Sequence, residues 1–384
     1  MSALEDALEA ALAVYDVEGE KALRSRFDLA QPRHVTIRDG RRYDADLLGH
    51  LILGAAGPRA ARLGEQSAAA VVAAAGATVV RIENWSVENE LLWRMSAWQQ
   101  LQRADVNAEW LRERGLYGGM QGIWVDAART KTLAPEGVAV AVRHTGRHYA
   151  DDVDDKMAIY YYPRTIRPAA RDRHEIEAVK NAAELHLPVF VIGEGPGGAR
   201  PVRLAWVIAA DDEAEVFLLE FAEAEPRHLD IGEPHVPFEL TSTRQRAAAR
   251  QQRYVRSPEF KFRVLHRHQG KCAVTGVGVP VVLDAAHVVP VEDGGTDDER
   301  NGLLLTATLH RAFDAYLWAI EPGTHRLRTR RQGPTLADLQ VTATALRQGV
   351  KPPHPDALEW RWLRFRAKGD AAVLGEAVAE EAGR

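Results

Sequence analysis

Residues 272 to 314 bring together side chains that can move protons and hold metal ions. His287 precedes Asn301 by fourteen positions, Asn301 precedes His310 by nine, and Asp284 sets a carboxylate three positions ahead of the first histidine. An imidazole titrates near neutral pH, so it can take a proton from water or, as the neutral ring, bind a divalent cation. A second group lies earlier: Tyr149, Asp152 and Tyr161 place two aromatic rings and a carboxylate within thirteen residues. The first set suits hydrolysis, the second the grip of a flat ring.

The elements that must position the first set follow from patterning. Two β-branched runs, Val277 to Leu283 and Ala285 to Val291, are split by Asp284, which is a hairpin signal. After the Gly294-Gly295 loop and Asn301, the run Leu303 to Tyr316 takes helical spacing, with Leu305, Leu309, Phe313 and Tyr316 on or near one face. The predicted order is strand, strand, helix. With the blocks CAVTG, AAH, NGLLL and LHRAFD, the stretch resembles the HNH (ββα-metal) nucleases. That resemblance implies that His287 is the general base that activates water and that Asn301 ties the loop to the base strand. It also implies that His310 holds a divalent metal, Mg²⁺ in the first place with Mn²⁺ or another transition metal as the alternative, acting as a Lewis acid on the scissile phosphate. One position departs from the best-known pattern: Ala286 stands where an Asp would precede the base. Side chains two apart on a strand share a face, so Asp284 is either the substitute metal ligand or a turn residue. Cys272 is the only cysteine. A structural zinc site built on cysteines is therefore excluded, and Cys272 reads as a small buried hydrophobe.

From about Leu116 to Phe221 the pattern turns to strands: Gly122 to Val125, Gly137 to Arg143, Met157 to Tyr162, Leu187 to Ile192, Val202 to Ala209 and Glu215 to Phe221. One helix, Asp172 to Glu184, interrupts them, and the combination predicts a curved, barrel-like sheet. Within it, HTGRHYADDVDDKMAIYYYPRT resembles the SRA domain, a PUA-like β-barrel that flips a modified cytosine out of duplex DNA. The resemblance implies that Tyr149 and Tyr161 sandwich the flipped ring and that Asp152 accepts a hydrogen bond from the exocyclic amine. Asp151 and Asp154 would shape the loop. Arg147-His148 replaces the family's Gly pair and Tyr162-Pro163 its Thr-Gly, which bears on pocket width. On the alternative reading Tyr160, Tyr161 and Tyr162 are strand aromatics and the acids a solvated loop.

The rest of the chain frames these two sets. A length of 384 residues predicts two or three domains, and 46% hydrophobic with 27% charged residues is ordinary for a globular protein. The net charge of −5 excludes a uniformly basic surface, but Arg244 to Lys271 holds nine Lys or Arg against the single acid Glu259, a local footprint for a phosphate backbone. The N-terminus is acidic and lacks the basic start of a signal peptide. No apolar run is long enough for a membrane helix, and a chain without disulfides suits the cytoplasm. Residues 1–83 form a head of helices around short strands: helices Leu4 to Phe27, Ala45 to Leu53 and Glu65 to Ala75, with strands His34 to Arg38 and Ala77 to Ile82. Its segment VTIRDGRRYDADLLGHLILG looks like the head region of ScoMcrA-type restriction proteins. Arg38, Arg41 and Arg42 are then candidate DNA contacts, or the head is a small packing or dimerisation domain. A linking helix over 84–112 carries Leu91, Met95 and Trp98 on one face, with Trp93 pointing away. The SRA-like reader spans 113–225, a linker 226–243 and the nuclease 244–384, where residues 316–330 close a hairpin and the helix Gly369 to Ala382 is peripheral.

The fold class is thus α+β: helical head, SRA-like barrel, ββα-metal nuclease. The two resemblances together imply a modification-dependent restriction endonuclease acting on double-stranded DNA with 5-methylcytosine or 5-hydroxymethylcytosine. One nuclease motif per chain cuts one strand, so a double-strand break calls for a homodimer. A methyl-DNA reader with an inactive HNH site and a nuclease indifferent to modification are the alternatives.

Overall fold

The computed structural model describes residues 3–29, 31–54, 65–102, 106–118, 122–144, 152–164, 169–242 and 257–382. Gly19, at φ 80°, divides the expected first helix into α1 (Ala3–Glu18) and α2 (Glu20–Phe27). Leu8, Leu12 and Tyr15 repeat four and three apart, so one face of α1 is buried with Leu48 and Ile52 of α3 (Ala45–Gly54) and Val72 of α4 (Glu65–Ala74). Strands β1 (His34–Arg38), β2 (Arg41–Asp44) and β3 (Val79–Arg81) form a sheet of order β2-β1-β3. Strand β2 is not anticipated above. Its turn, Asp39-Gly40 at φ 48° and 71°, has the primed geometry that matches strand twist. Arg38, Arg41 and Arg42 are held by Glu9, Asp16 and Asp126.

Helix α5 (Val87–Leu101) starts at a capping box between Ser86 and Asn89. It buries Glu90, Trp93, Arg94, Ala97 and Leu101, whereas the Leu91, Met95 and Trp98 face is only half-buried. Trp93 lies inward because a buried charge cluster lies with it. Glu90 bonds Arg94 at 2.9 Å and Arg129 at 2.8 Å, and the Arg129 guanidinium sits 3.9 Å from the Trp93 ring. Burial alone would raise the Glu90 pKa, but the two guanidiniums hold it down at about 2.

Helix α6 (Ala108–Glu113) leads to β4 (Ile123–Val125), α7 (Ala127–Thr130), β5 (Ala139–Arg143), β6 (Met157–Tyr161), α8 (Ala169–Glu184), β7 (Val189–Ile192), β8 (Val202–Asp211) and β9 (Val216–Phe221), close to the predicted runs. The six strands take the order β4-β5-β7-β8-β9-β6, with β5 and β7 parallel. Among the described residues this sheet is open, with β4 and β6 as its edges, and the closed barrel expected from the sequence is not seen. Edge strand β4 has three residues and its register shifts at Trp124/Val125, a device that ends pairing.

Two compact units divide the chain: Met1–Thr145, Pro163–Val207 and Ala222–Glu225 in one, and Gly146–Tyr162, Ile208–Phe221 and Pro226–Arg384 in the other. The expected reader span is therefore shared between them. In the second unit, α9 (Pro258–Arg267) begins with Ser257 as N-cap and Pro258 at the first position. The hairpin is β10 (Leu283–His287) with β11 (Gly302–Thr306), and α10 (Ala307–Asp314) follows. Three expected element boundaries are corrected here. Asp284 is inside β10, not between strands, because Pro280 to Val282 form a 3-10 turn. The second strand is Gly302–Thr306, since the fully buried Leu303, Leu304 and Leu305 form a continuous apolar run whose period cannot separate strand from helix. The closing hairpin is present as β12 (Trp318–Ile320) with β13 (Leu327–Thr329). The last helix, α11 (Pro355–Ala382), begins fourteen residues before Gly369, and its first half is packed: Trp362 and Phe365 lie against Tyr316 and Ala319. Among the described residues no helix is long and apolar enough to cross a membrane.

His268, just after α9, is 1% exposed, and burial followed by the charge of Arg267 depresses its pKa to about 3. Below about pH 6.5 the unfolded chain takes up a proton that the folded chain refuses, so this group lowers stability as pH falls. Between pH 7.5 and 5.0 the wild-type protein should lose about 2 kcal/mol that His268→Gln does not. His266 acts in the opposite sense, because the hydrogen bond it donates to Asp211 raises its pKa, but it is common to both proteins. Chemical denaturation of the pair at the two pH values checks this, and parallel pH dependences would remove His268 as the cause.

Candidate nuclease site

His287 ends β10 and is nearly buried. Its ring stacks on Phe260 of α9, with centroids 3.9 Å apart and planes 11° from parallel, and its Nε2 lies 2.9 Å from Asp297 Oδ1. Two contacts on different elements thus fix the ring plane and its rotation. Asp297 belongs to the loop between the strands, and it is not singled out in the sequence reading. The signal for it is only that an acid-rich loop, GGTDD, returns past the base strand.

Asn301 is fully buried and spends its amide on that loop. Its Oδ1 accepts from Val289 N at 2.9 Å, and its Nδ2 donates to Val289 O at 3.1 Å and Thr296 O at 2.9 Å. The loop is drawn so close that a Cβ on Gly295 would fall 1.9 Å from Val289 O, which only glycine avoids.

His310, on α10, is also nearly buried. Its Nδ1 lies 3.0 Å from Asp284 Oδ2 and its Nε2 3.2 Å from Asp314 Oδ2. Asp314 is one turn along the same helix, so the i, i+4 spacing within LHRAFD was its signal. The sequence-predicted Asp284 and His310 are therefore in contact, and His287 and His310 line one cleft of about 750 Å³ with Asp293, Asp314, Arg364 and Lys368. Ala286 is fully buried opposite Leu303.

Of the second predicted set, Asp152 and Tyr161 are among the described residues. Tyr149 lies outside the described residues. Tyr161 is half-buried on β6, paired with Val216. Asp152 is fully buried and its Oδ1 takes a salt bridge from Lys261 of α9 at 2.5 Å. Asp154 shapes its loop, accepting from the backbone N–H groups of Lys156 and Met157 at 2.7 Å each. Tyr162 donates to Asp212 and packs on Phe217. Of the basic stretch, 244–256 lies outside the described residues. Lys261 turns inward, Arg263 pairs with Glu259, and Arg267 bonds Pro352 O.

Residues 272–321 match the family model for HNH endonucleases. Among curated proteins none matches the chain. Two solved structures are similar to it. The modification-dependent TagI restriction endonuclease is 21% identical, covering 66% of this chain and 89% of that one, with a TM-score of 0.28. The type IV phosphorothioation-dependent restriction endonuclease ScoMcrA is 11% identical, covering 80% and 94%, with a TM-score of 0.20. Scores this low fix no shared overall fold. The family match stops short of the SRA-like stretch, and what it supports is that the chain carries an HNH endonuclease domain and is a nuclease.

Proposed function

We propose that this nuclease cleaves double-stranded DNA carrying 5-methylcytosine or 5-hydroxymethylcytosine, with His287 as general base and a divalent metal at Asp284 and His310. The observation that carries the nuclease half is the single cleft lined by both histidines, one bonded to Asp297 and the other to Asp284. His287 donates its Nε2 proton to Asp297, which leaves the basic lone pair on Nδ1. Water gives a proton to that nitrogen and its oxygen bonds to phosphorus as the bond from phosphorus to the leaving strand oxygen breaks, that oxygen taking a proton from solvent, while Phe260 and Asp297 keep the ring from turning. Asn301 holds the loop that presents Asp297.

The donor set fits a metal. An octahedron with bonds of about 2.1 Å has edges of about 3.0 Å, the separation of His310 Nδ1 and Asp284 Oδ2. Two protein donors leave positions for water and phosphate, as Mg²⁺ prefers, and imidazole with carboxylate serves Mn²⁺ as well. When bound, the ion supplies charge to the scissile phosphate and the leaving oxygen. Asp314 would accept the other His310 N–H and set the ring, as carboxylates commonly do behind metal-binding histidines.

The modification half rests on the SRA-like motif at Tyr149, Asp152 and Tyr161. Asp152 is buried against Lys261, so reading a base amine requires this segment to open and Lys261 to release the carboxylate. That same burial favours the second reading, a nuclease indifferent to modification. Cleavage of one fragment in methylated and unmethylated form, with Mg²⁺ or Mn²⁺, decides. We expect the methylated copy to be cut preferentially, and Tyr161→Ala to weaken that preference by about 1–3 kcal/mol of lost stacking. Equal rates on both copies leave the indifferent nuclease, and no cleavage of either leaves a reader with a lapsed site. Because each chain holds one site, a C2 homodimer is the arrangement that cuts both strands in one binding event. Light scattering should then report a dimer, and a monomer both free and with DNA leaves sequential nicking.

A further inference from the structure

We infer that α11, which lies outside the family motif, supplies the phosphate-binding wall of the cleft through Arg364 and Lys368, so that these two residues position the DNA strand for cleavage. The inference rests on the reading of the cleft as the nuclease site. The helix is anchored one turn earlier. Arg361 is 1% exposed, donates to Phe313 O at the end of α10, and lies 4.0 Å from the Phe313 ring and 3.8 Å from that of Tyr316. It is therefore fixed to the helix that carries His310. Three and seven residues on, Arg364 and Lys368 fall on the same side of α11 and reach the cleft shared with His287 and His310.

Charge in the cleft is divided. Glu292, Asp293 and Asp314 supply negative groups, Arg364 and Lys368 positive ones. A nuclease cleft must hold a cation and a phosphate backbone together, and a cleft with charges of one sign would repel one of them. Both basic side chains are exposed, and among the described residues neither pairs with a carboxylate. They are steadied by rings instead: the Arg364 guanidinium lies 3.5 Å from the Trp360 ring and the Lys368 ammonium 4.2 Å from that of Tyr316. One N–H of Arg364 donates to Trp360 O at 3.4 Å, and the remaining donors of its planar guanidinium are the kind that binds phosphate in two places. The ligand class is thus the phosphodiester backbone, read without regard to base.

The test uses the full chain and a duplex that the wild-type protein cuts, comparing Arg364→Ala/Lys368→Ala with Arg364→Lys/Lys368→Arg over 50 to 300 mM salt. Losing two phosphate contacts should lower kcat/KM by about tenfold or more near 0.1 M salt and flatten its log–log salt slope by about 1–2. The charge-conserving pair should keep the wild-type slope. A partly unfolded preparation lowers the rate at every salt concentration alike, so the slope separates lost contact from lost fold. Wild-type rate and slope in the alanine pair would overturn the inference. If the wild-type protein cuts nothing with Mg²⁺ or Mn²⁺, it is the nuclease reading that fails. The salt slope of metal-free duplex binding then decides the inference separately, an unchanged slope in the alanine pair overturning it.

Discussion

The His287→Ala protein should hydrolyse DNA at about 10⁻² to 10⁻⁴ of the parent rate, the usual loss on removing a general base, while its affinity for the duplex stays near normal. The reason is what the ring touches. It stacks on Phe260 and bonds Asp297, so its replacement removes a proton acceptor from the cleft without touching a basic side chain. Asp297→Asn is the companion test. An amide presents a donor as readily as an acceptor, so it no longer dictates which ring nitrogen is protonated, and cleavage should fall between the two proteins. Single-turnover rates at saturating protein, beside gel-shift affinities, measure both effects. Near-normal cleavage by His287→Ala would remove the base assignment, and equal cleavage by Asp297→Asn and wild type would leave Asp297 a loop residue.

How much of this was legible beforehand differs by kind of signal. Residue type and spacing were enough to single out His287, Asn301 and His310, because a short hairpin and one helix fix the distances between them. The elements around them were less legible. Leu303 to Leu305 are apolar on every face, so nothing in their pattern separates the strand they form from the helix that follows. Asp297 reaches the base only because Asn301 and Gly295 fold the loop back, which is a matter of tertiary hydrogen bonds. The Asp39-Gly40 turn, by contrast, is legible in the sequence, since an Asp-Gly pair between β-forming residues is a hairpin signal. Trp93 turns inward because Glu90 holds both Arg94 and Arg129 beneath it, and a rule that sends charges outward cannot foresee that. Arg361 is the same case at α11: a buried guanidinium held by two rings anchors a helical segment that hydrophobic spacing alone does not mark.

Loss of His310 should abolish metal-dependent cleavage and, read without DNA, the stabilisation that Mn²⁺ gives the wild-type protein. A ligand that binds only the folded state raises stability by RT ln(1 + [L]/Kd), about 2.7 kcal/mol at a hundredfold excess over Kd. In His310→Ala that rise should vanish, because the Nδ1 that faces Asp284 across 3.0 Å is gone. Asp284→Ala removes the oxygen donor and should weaken the ion strongly while leaving some binding through the imidazole. Asp314→Asn is the mildest of the three. It keeps both donors and loses only the carboxylate behind Nε2, a change that costs about 10–100-fold in metal affinity at comparable sites. The order of effect is therefore His310, Asp284, Asp314, and thermal melts across a Mn²⁺ titration report it independently of activity. Wild-type stabilisation in His310→Ala would place the metal elsewhere, and an unaltered Asp284→Ala would return Asp284 to an ordinary strand residue whose carboxylate merely accepts from the histidine.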